Sequence, residues 1–414
     1  MIKILSIQNA RDLPARGSGE LAQYENVVGP ILRAVREERD AALLRYARQF
    51  DGLGDAPVRI SEEELASAAK RLGPGICKAV GTAASNIREF ATAQMPKELF
   101  REFSPGRKLG WIVRPLEAVG CYIPSGRYPL PSTVLMTAVL AQAAEVPRVC
   151  IASPKPSLEI MGCAHLLGIR EVYRVGGAQA IAAMAYGTET IARVSRIVGP
   201  GNVYVSTAKK LLAGEVGIDF VAGPTEIAIL AEEGDPRVIA ADMLAQAEHD
   251  VTASAMLITT SRGLAEAVSA EIEKQLKTLP TADVARQSID RDSAIFVVPN
   301  TDVAVEVVNS IAPEHLSLHD AALLPKIQNA GAVFLGAGSP EAAGDYAAGP
   351  SHVLPTTGVA RLRGGLTPAD FVKIISVQQL SPTALQELSP AITALARAEG
   401  LEAHARSVEV RLVQ

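Results

Sequence analysis

Apolar residues recur first at helical spacing and later in short runs between glycine and proline, so a helical opening gives way to strand-helix alternation. Between Val27 and Phe50, the residues Val28, Ile31, Leu32, Val35, Leu43, Leu44 and Ala47 mark helical faces, interrupted at Glu37-Glu38-Arg39-Asp40 and stopped by Asp51-Gly52-Leu53-Gly54. Ser61, with Glu64 three residues on, predicts a capped helix through Ala69, and a longer helix covers Ile76 to Ala93. Around Trp111 two β-prone pieces, 111–115 and 118–124, mark a domain crossing. Beyond them the pattern predicts helices over 132–144, 158–167 and 178–185, strands over 148–152 and 171–175, and extended pieces at 196–198 and 218–222. A second alternating region has strands at 255–260, 294–299 and 332–335, helices at 264–279 and 302–311, and a short extended piece at 316–318. After Ser381-Pro382 a helix over 388–400 and an extended end through 408–412 are expected. Alternation at these lengths predicts an α/β protein with two units, each a parallel sheet with crossover helices.

Composition narrows this picture. A chain of 414 residues is long enough for two or three domains, and 48% apolar, 21% charged and 4% aromatic residues fit an α/β enzyme core. The net charge of -5, with both signs interspersed, provides no polyanion-binding surface, so no nucleic acid partner is expected. Cys77, Cys121, Cys150 and Cys163 stand singly, which argues against a zinc ribbon or disulfide framework and for a reducing compartment. The opening Met1-Ile-Lys-Ile-Leu-Ser6 lacks the features of a signal peptide, and no run approaches the roughly 20 apolar residues of a membrane span. The expectation is a soluble, cytoplasmic protein without a membrane partner.

Four loci could carry chemistry. Asp235-Pro236 opens a helix that closes at Gln246-Ala-Glu-His249-Asp250, so Gln246 and His249 lie on neighbouring turns as half of a metal site or a hydrogen-bonding clamp. The plain alternative is a solvated helix end. In Ala312-Pro313-Glu314-His315-Leu316 two proton acceptors adjoin, and they can serve one site only where the backbone is irregular, as the proline suggests. The Gly/Pro-dense loop from Gly344 to Pro355 holds Asp345 and His352, and His404 lies near the C-terminus. Asp345, His249 and His404 with Gln246 would make an N/O zinc set, leaving Glu314 and His315 as bases and His165 and His319 as bystanders. No Gly-x-Gly-x-x-Gly or Walker sequence occurs. Val175-Gly176-Gly177-Ala178-Gln179 turns a strand end into a helix, which suits either a phosphate or a plain tight turn.

In these segments the chain resembles the histidinol dehydrogenases. The matching stretches are Gly120-Cys-Tyr122-Ile-Pro124, 131–136, Val175-Gly-Gly-Ala-Gln179, Gly199-Pro-Gly-Asn202-Val-Tyr204, Asp219 to Glu226, Gln246-Ala-Glu-His249, Ala312 to Leu316, Gly344 to Thr356 and Glu399 to Ser407, in family order. The resemblance implies a zinc- and NAD-dependent enzyme that oxidises L-histidinol to L-histidine through bound L-histidinal, consuming two NAD and one water. It implies zinc held by Gln246, His249, Asp345 and His404, with His315 taking the alcohol proton and Glu314 activating water. NAD would meet Tyr122, Gln179 and Asn202. Substrate would meet Thr225, Gln246, His249, His315, Asp345, His352, Glu399 and His404. An intertwined homodimer is implied, with Glu399 and His404 acting across the interface.

The implied plan has two incomplete Rossmann-like domains: an N-terminal arm at 1–16, a first domain from 17–121 and 226–366, an NAD-binding domain at 122–225, and a dimerisation segment at 367–414. Thr225 stands where serine is frequent in the family, keeping the hydroxyl and adding a methyl. The competing readings are oxidation of a different alcohol or diol within the superfamily, and a zinc hydrolase indifferent to NAD.

Overall fold

The structure is a computed structural model that describes residues 1–14, 21–126 and 128–412. Its strands, in chain order, begin with β1 (Lys3–Ser6), β2 (Leu99–Ser104) and β3 (Arg107–Pro115). There follow β4 (Ala118–Tyr122), β5 (Arg148–Ala152), β6 (Glu171–Tyr173), β7 (Arg196–Val198) and β8 (Gly217–Ile218). The remainder are β9 (Glu226–Leu230), β10 (Ser254–Thr259), β11 (Ala294–Val297), β12 (His315–Leu318), β13 (Ala332–Leu335) and β14 (Val372–Leu380).

Five strands form a parallel sheet in the order β6-β5-β4-β7-β8, and six form a second parallel sheet in the order β1-β11-β10-β9-β12-β13. In each, the order reverses beside an interior strand, between β4 and β7 and between β9 and β12, with β1 added at the edge of the second. This is the doubly wound pattern, repeated. Both sheets are covered on both faces, which is why their strands are apolar on both sides. In the five-stranded sheet Val119, Cys121, Ile151, Val172 and Val198 face one core, and Ala118, Tyr122, Cys150, Ala152, Tyr173 and Ile197 face the other. In the six-stranded sheet Ile227, Ile229, Leu257 and Ile295 face one core and Ala228, Leu230, Ile258, Phe296 and Leu316 the opposite one. Among the described residues no helix is long and apolar enough to cross a membrane.

The packing redraws the expected domain plan. The helices Ala22–Glu38, Asp40–Tyr46, Glu62–Arg71 and Pro74–Gln94 bury their apolar faces against the five-stranded sheet, although 17–121 was expected with the six-stranded unit. The reason is visible in the partners: Leu65, Ala84 and Ile87 pack with Val119 and Ile151, while Val28, Leu32 and Leu43 pack with Ala118 and Cys150. The boundary expected at 121/122 would also divide β4. In the expected arm, Lys3–Ser6 is an edge strand paired in parallel with β11, and residues 15 and 16 lie outside the described residues.

A third sheet, order β14-β3-β2, is antiparallel, with β14 paired to β3 from Val372–Pro115 to Leu380–Arg107. A hairpin of the helices Pro382–Ala398 and Glu402–Glu409 follows, so the end expected to be extended over 408–412 is helix to Glu409 and turn from 410 to 412. Ion pairs of Arg397 with Glu402 and Glu409 join the two helices, and the pair of Arg406 with Glu402 lies at helical spacing within the second. The expected extension over 218–222 is confined to Gly217–Ile218.

Candidate functional site

The chemistry gathers where β9 and β12 begin. Asp235 caps the helix Pro236–Ala247, accepting from Arg237 N, and the helix delivers Gln246, fully buried, to that edge, with His249 exposed just beyond its end. Thr225 immediately precedes β9. Ala312, in the left-handed region at φ 49°, and Pro313 break the backbone ahead of β12, and Glu314 and His315 are both buried with Nδ1 of the ring 3.7 Å from Glu314 Oε2. The irregular turn lets neighbours in sequence reach one cluster.

Glu314 Oε2 accepts from Thr225 Oγ1 at 2.5 Å and Glu226 N at 2.9 Å. Burial pushes its carboxyl up to about 7, against the opposing pull of His315 and these donors. Burial disfavours a charged His315, but the carboxylates of Glu314, Asp345 and Glu341 overcome it and raise the ring's proton affinity. His315 Nε2 lies 3.4 Å from Asp345 Oδ1 without a directed hydrogen bond, so this buried nitrogen has ionic company but no partner. Such an atom can be satisfied by a ligand.

Burial alone would raise Asp345, but its charge interaction with His315 holds it below the ordinary carboxylate range. His352 Nδ1 lies 2.9 Å from Asp345 O and Nε2 lies 3.3 Å from Thr133 Oγ1, and burial lowers its pKa toward the neutral ring. Gln246 fits its surroundings with the amide turned so that Nε2 donates to Glu341 Oε1 at 2.9 Å and Oε1 accepts from Thr225 Oγ1 at 2.5 Å. Thr225 therefore has one hydroxyl hydrogen between two oxygens, those of Gln246 and Glu314.

The second locus lies at the opposite, carboxyl-terminal edge of the five-stranded sheet, where the strand order reverses. Tyr122 ends β4 and its Oη accepts from Gly177 N at 3.2 Å. Gln179 is buried, and its Nε2 donates to Asp51 Oδ2 at 3.1 Å, while Gly176 N donates to the same oxygen at 3.0 Å. Asn202 caps the helix Val203–Leu212 by accepting from Tyr204 N and Val205 N. Between them Gly199, at φ 113°, passes so close to Tyr122 O that a Cβ would stand 2.2 Å from it. A fully buried Lys209–Asp219 ion pair holds this glycine: Lys209 Nζ donates to Gly199 O at 3.0 Å and Asp219 Oδ2 accepts from Gly199 N at 2.8 Å.

The two edges meet. Thr133 touches His352, Ser351 Oγ donates to Met136 O at 3.1 Å, Gly223 N donates to Thr356 Oγ1 at 2.6 Å, and Tyr128 Oη donates to Glu248 O at 3.5 Å.

The chain does not bring in everything the sequence suggests. Glu399 and His404 are solvent-exposed on the C-terminal hairpin, which packs on itself and on β14, and neither is bonded to the cluster. Among the described residues no three His, Cys, Asp or Glu side chains assemble as a metal cage. His249, Asp345 and the Gln246 amide carry N and O atoms of kinds that zinc accepts. Sequence reasoning missed Asp51, Lys209 and Glu341, whose roles arise from long-range packing. Cys121, Cys150 and Cys163 are buried, their thiols pushed up to about 12 by burial, so they are poor nucleophiles.

Comparison with known proteins identifies one family by sequence. The histidinol dehydrogenase family model matches residues 15–412. The chain is 47% identical over 400 residues to the histidinol dehydrogenase of Geobacillus kaustophilus, covering 94% of each chain. It is 44% identical over 420 residues to that of Halalkalibacterium halodurans, covering 99% of each. The crystal structure of histidinol dehydrogenase from Elizabethkingia anophelis superimposes with a TM-score of 0.94 at 34% identity, over 99% of this chain and 98% of that one. A buried base pair meeting a second sheet's strand-order reversal, and this agreement along the whole length, lead to one conclusion: the chain belongs to the histidinol dehydrogenase family of oxidoreductases.

Proposed function

We propose that this protein oxidises L-histidinol to L-histidine in two successive NAD-dependent steps through bound L-histidinal, with a zinc ion in the site. The observation that carries the reading is the buried Glu314–His315 pair, set against Asp345, Thr225 and Gln246 and adjoining the β4–β7 crevice. Two oxidations need two proton acceptors with different tasks, and the pair provides them. His315 would enter the step as the neutral ring and take the alcohol proton, with NAD when bound supplying the hydride acceptor, and the carboxylates of Glu314, Asp345 and Glu341 would stabilise the imidazolium that results. Glu314, with its carboxyl near 7, takes a proton from the water that adds to the aldehyde.

Gln246, His249 and Asp345 would hold zinc together with His404 of a second copy of the chain. Zinc, when bound, would orient the hydroxyl and favour its ionised form. Although His249 keeps an exposed side, the protein packed around its ring desolvates it and lowers its pKa, with Asp345 opposing, which favours the neutral, ligating form. Thr225, His352 and, from the second copy, Glu399 would complete the substrate pocket in an intertwined homodimer. Tyr122, Gln179 and Asn202 would contact NAD at the carboxyl edge of the five-stranded sheet, where the strand-order reversal opens a crevice. We place this reaction in the cytoplasm.

The test is metal analysis of the purified protein combined with histidinol-dependent NAD reduction. Zinc with reduction of NAD by L-histidinol supports the reading. Turnover of a sulfonated diol in place of histidinol, or hydrolysis indifferent to NAD, overturns it.

A further inference from the structure

We infer that Glu341 is a positioning residue that selects which atom of Gln246 faces the cation, an inference that rests on the zinc site proposed above. A carboxamide is a hazardous ligand. Its oxygen can bind a cation and its nitrogen cannot, yet a half-turn exchanges the two in the same space. Glu341, in its ionised form, removes that ambiguity. In the orientation that satisfies every neighbour, Gln246 Nε2 donates to Glu341 Oε1 at 2.9 Å and Oε2 at 3.2 Å, while Oε1 accepts from Thr225 Oγ1 at 2.5 Å and Glu226 N at 3.2 Å. In the reverse orientation the amide oxygen would face two carboxylate oxygens, and the nitrogen would face the Glu226 N–H with Thr225 Oγ1 as its acceptor, in a site where Gln246 and Glu341 are both buried. The nitrogen is thus committed to Glu341, and with the single hydrogen of Thr225 Oγ1 given to Glu314 the oxygen keeps a lone pair for a cation.

The placement of Glu341 is economical. It opens the short helix Glu341–Tyr346, and Asp345 lies four residues on, so both side chains share one helix face. One turn of helix then supplies a ligand, Asp345, and the acceptor that orients another, Gln246. Oriented ligands hold metal more tightly because less freedom is lost on binding, and removing such an outer partner typically weakens affinity by about 10- to 100-fold.

The experiment is zinc titration of the metal-stripped, full-length protein against a chromophoric chelator, with NAD affinity and thermal unfolding followed on the same samples. Glu341→Leu is expected to weaken zinc binding by about 10- to 100-fold while NAD affinity, set at the other sheet, stays put. Glu341→Gln retains one oxygen acceptor for Gln246 and should lose less; it also carries the test should the leucine variant fail to fold. The double variant Glu341→Leu/Gln246→Glu should regain affinity, since a carboxylate has no wrong atom to present. Unchanged zinc affinity in Glu341→Leu, an equal loss in Glu341→Gln, or no recovery in the double variant overturns the assignment. Failure of the unmodified protein to bind zinc would instead overturn the proposed metal site itself, and with it this inference.

Discussion

Apart from the edge strand β1, the two parallel sheets have the same order of strands yet present opposite ends to their junction. The five-stranded sheet offers its carboxyl edge, with Tyr122 at the end of β4 and Asn202 opening the next helix; the six-stranded sheet offers its amino edge, with Thr225 before β9 and His315 starting β12. Crossover helices run antiparallel to the strands, so a carboxyl edge collects helix N-termini and an amino edge collects helix C-termini. The first carries partial positive charge suited to phosphates, and the second partial negative charge suited to a cation. Gln246, in the last turn of its helix, sits at the second kind of end. Two copies of one topology can thus divide nucleotide and metal between them simply by facing each other with opposite edges. One exception sharpens the rule: Asp51 already occupies the N-terminus of the helix Gly177–Tyr186 through Gly176 N, and the Asn202 side chain caps that of the helix Val203–Leu212.

This division is breakable at either edge. The largest effect is expected from His315→Asn at the amino edge, a fall in kcat of about 10³-fold within the range for a lost general base, with zinc content and NAD affinity retained. Unchanged turnover would remove His315 from the mechanism. Lys209→Met should destabilise the protein by about 3–5 kcal/mol, because Asp219 is left charged and buried, and denaturant midpoints would show it. Glu314→Gln should slow oxidation of supplied L-histidinal by about 100-fold. In the unmodified protein that step should accelerate as pH rises through about 7, because burial keeps Glu314 protonated below that value and only the carboxylate can accept a proton. Loss of that limb in Glu314→Gln, by stopped-flow rates between pH 5.5 and 8.5, is the check. Asn202→Ala should act at the carboxyl edge alone, costing about 1 kcal/mol of stability through the lost cap and raising KM for NAD with zinc affinity unaltered.

Much of the architecture was legible because the strands alternate with helices whose caps are local signals. Arg148–Ala152 and Ala332–Leu335 emerge with the expected bounds, and Ser61 and Asp235 cap the helices they announce. The misses share a cause. β2 and β14 are stabilised by pairing with β3, one nearby and the other far along the chain, and their mixed polar sequences carry no strong period of their own. β9 is uniformly buried between two neighbours, so it lacks the alternation that marks a half-exposed strand. In the site, Glu314 and His315 were readable from Pro313 and a pair of adjacent acceptors. Glu341 was not, since nothing local distinguishes it from a surface glutamate; only the fold sets it against Gln246, 95 positions earlier in the chain.

The most direct test of the account is the number of NADH molecules formed per L-histidinol consumed by the zinc-loaded protein at completion. A site with two bases, one for the alcohol and one for the hydrated aldehyde, predicts two. A value of one, with aldehyde released, would mean that Glu314 does not support the second oxidation, and the absence of NADH would contradict the assignment of the two edges altogether.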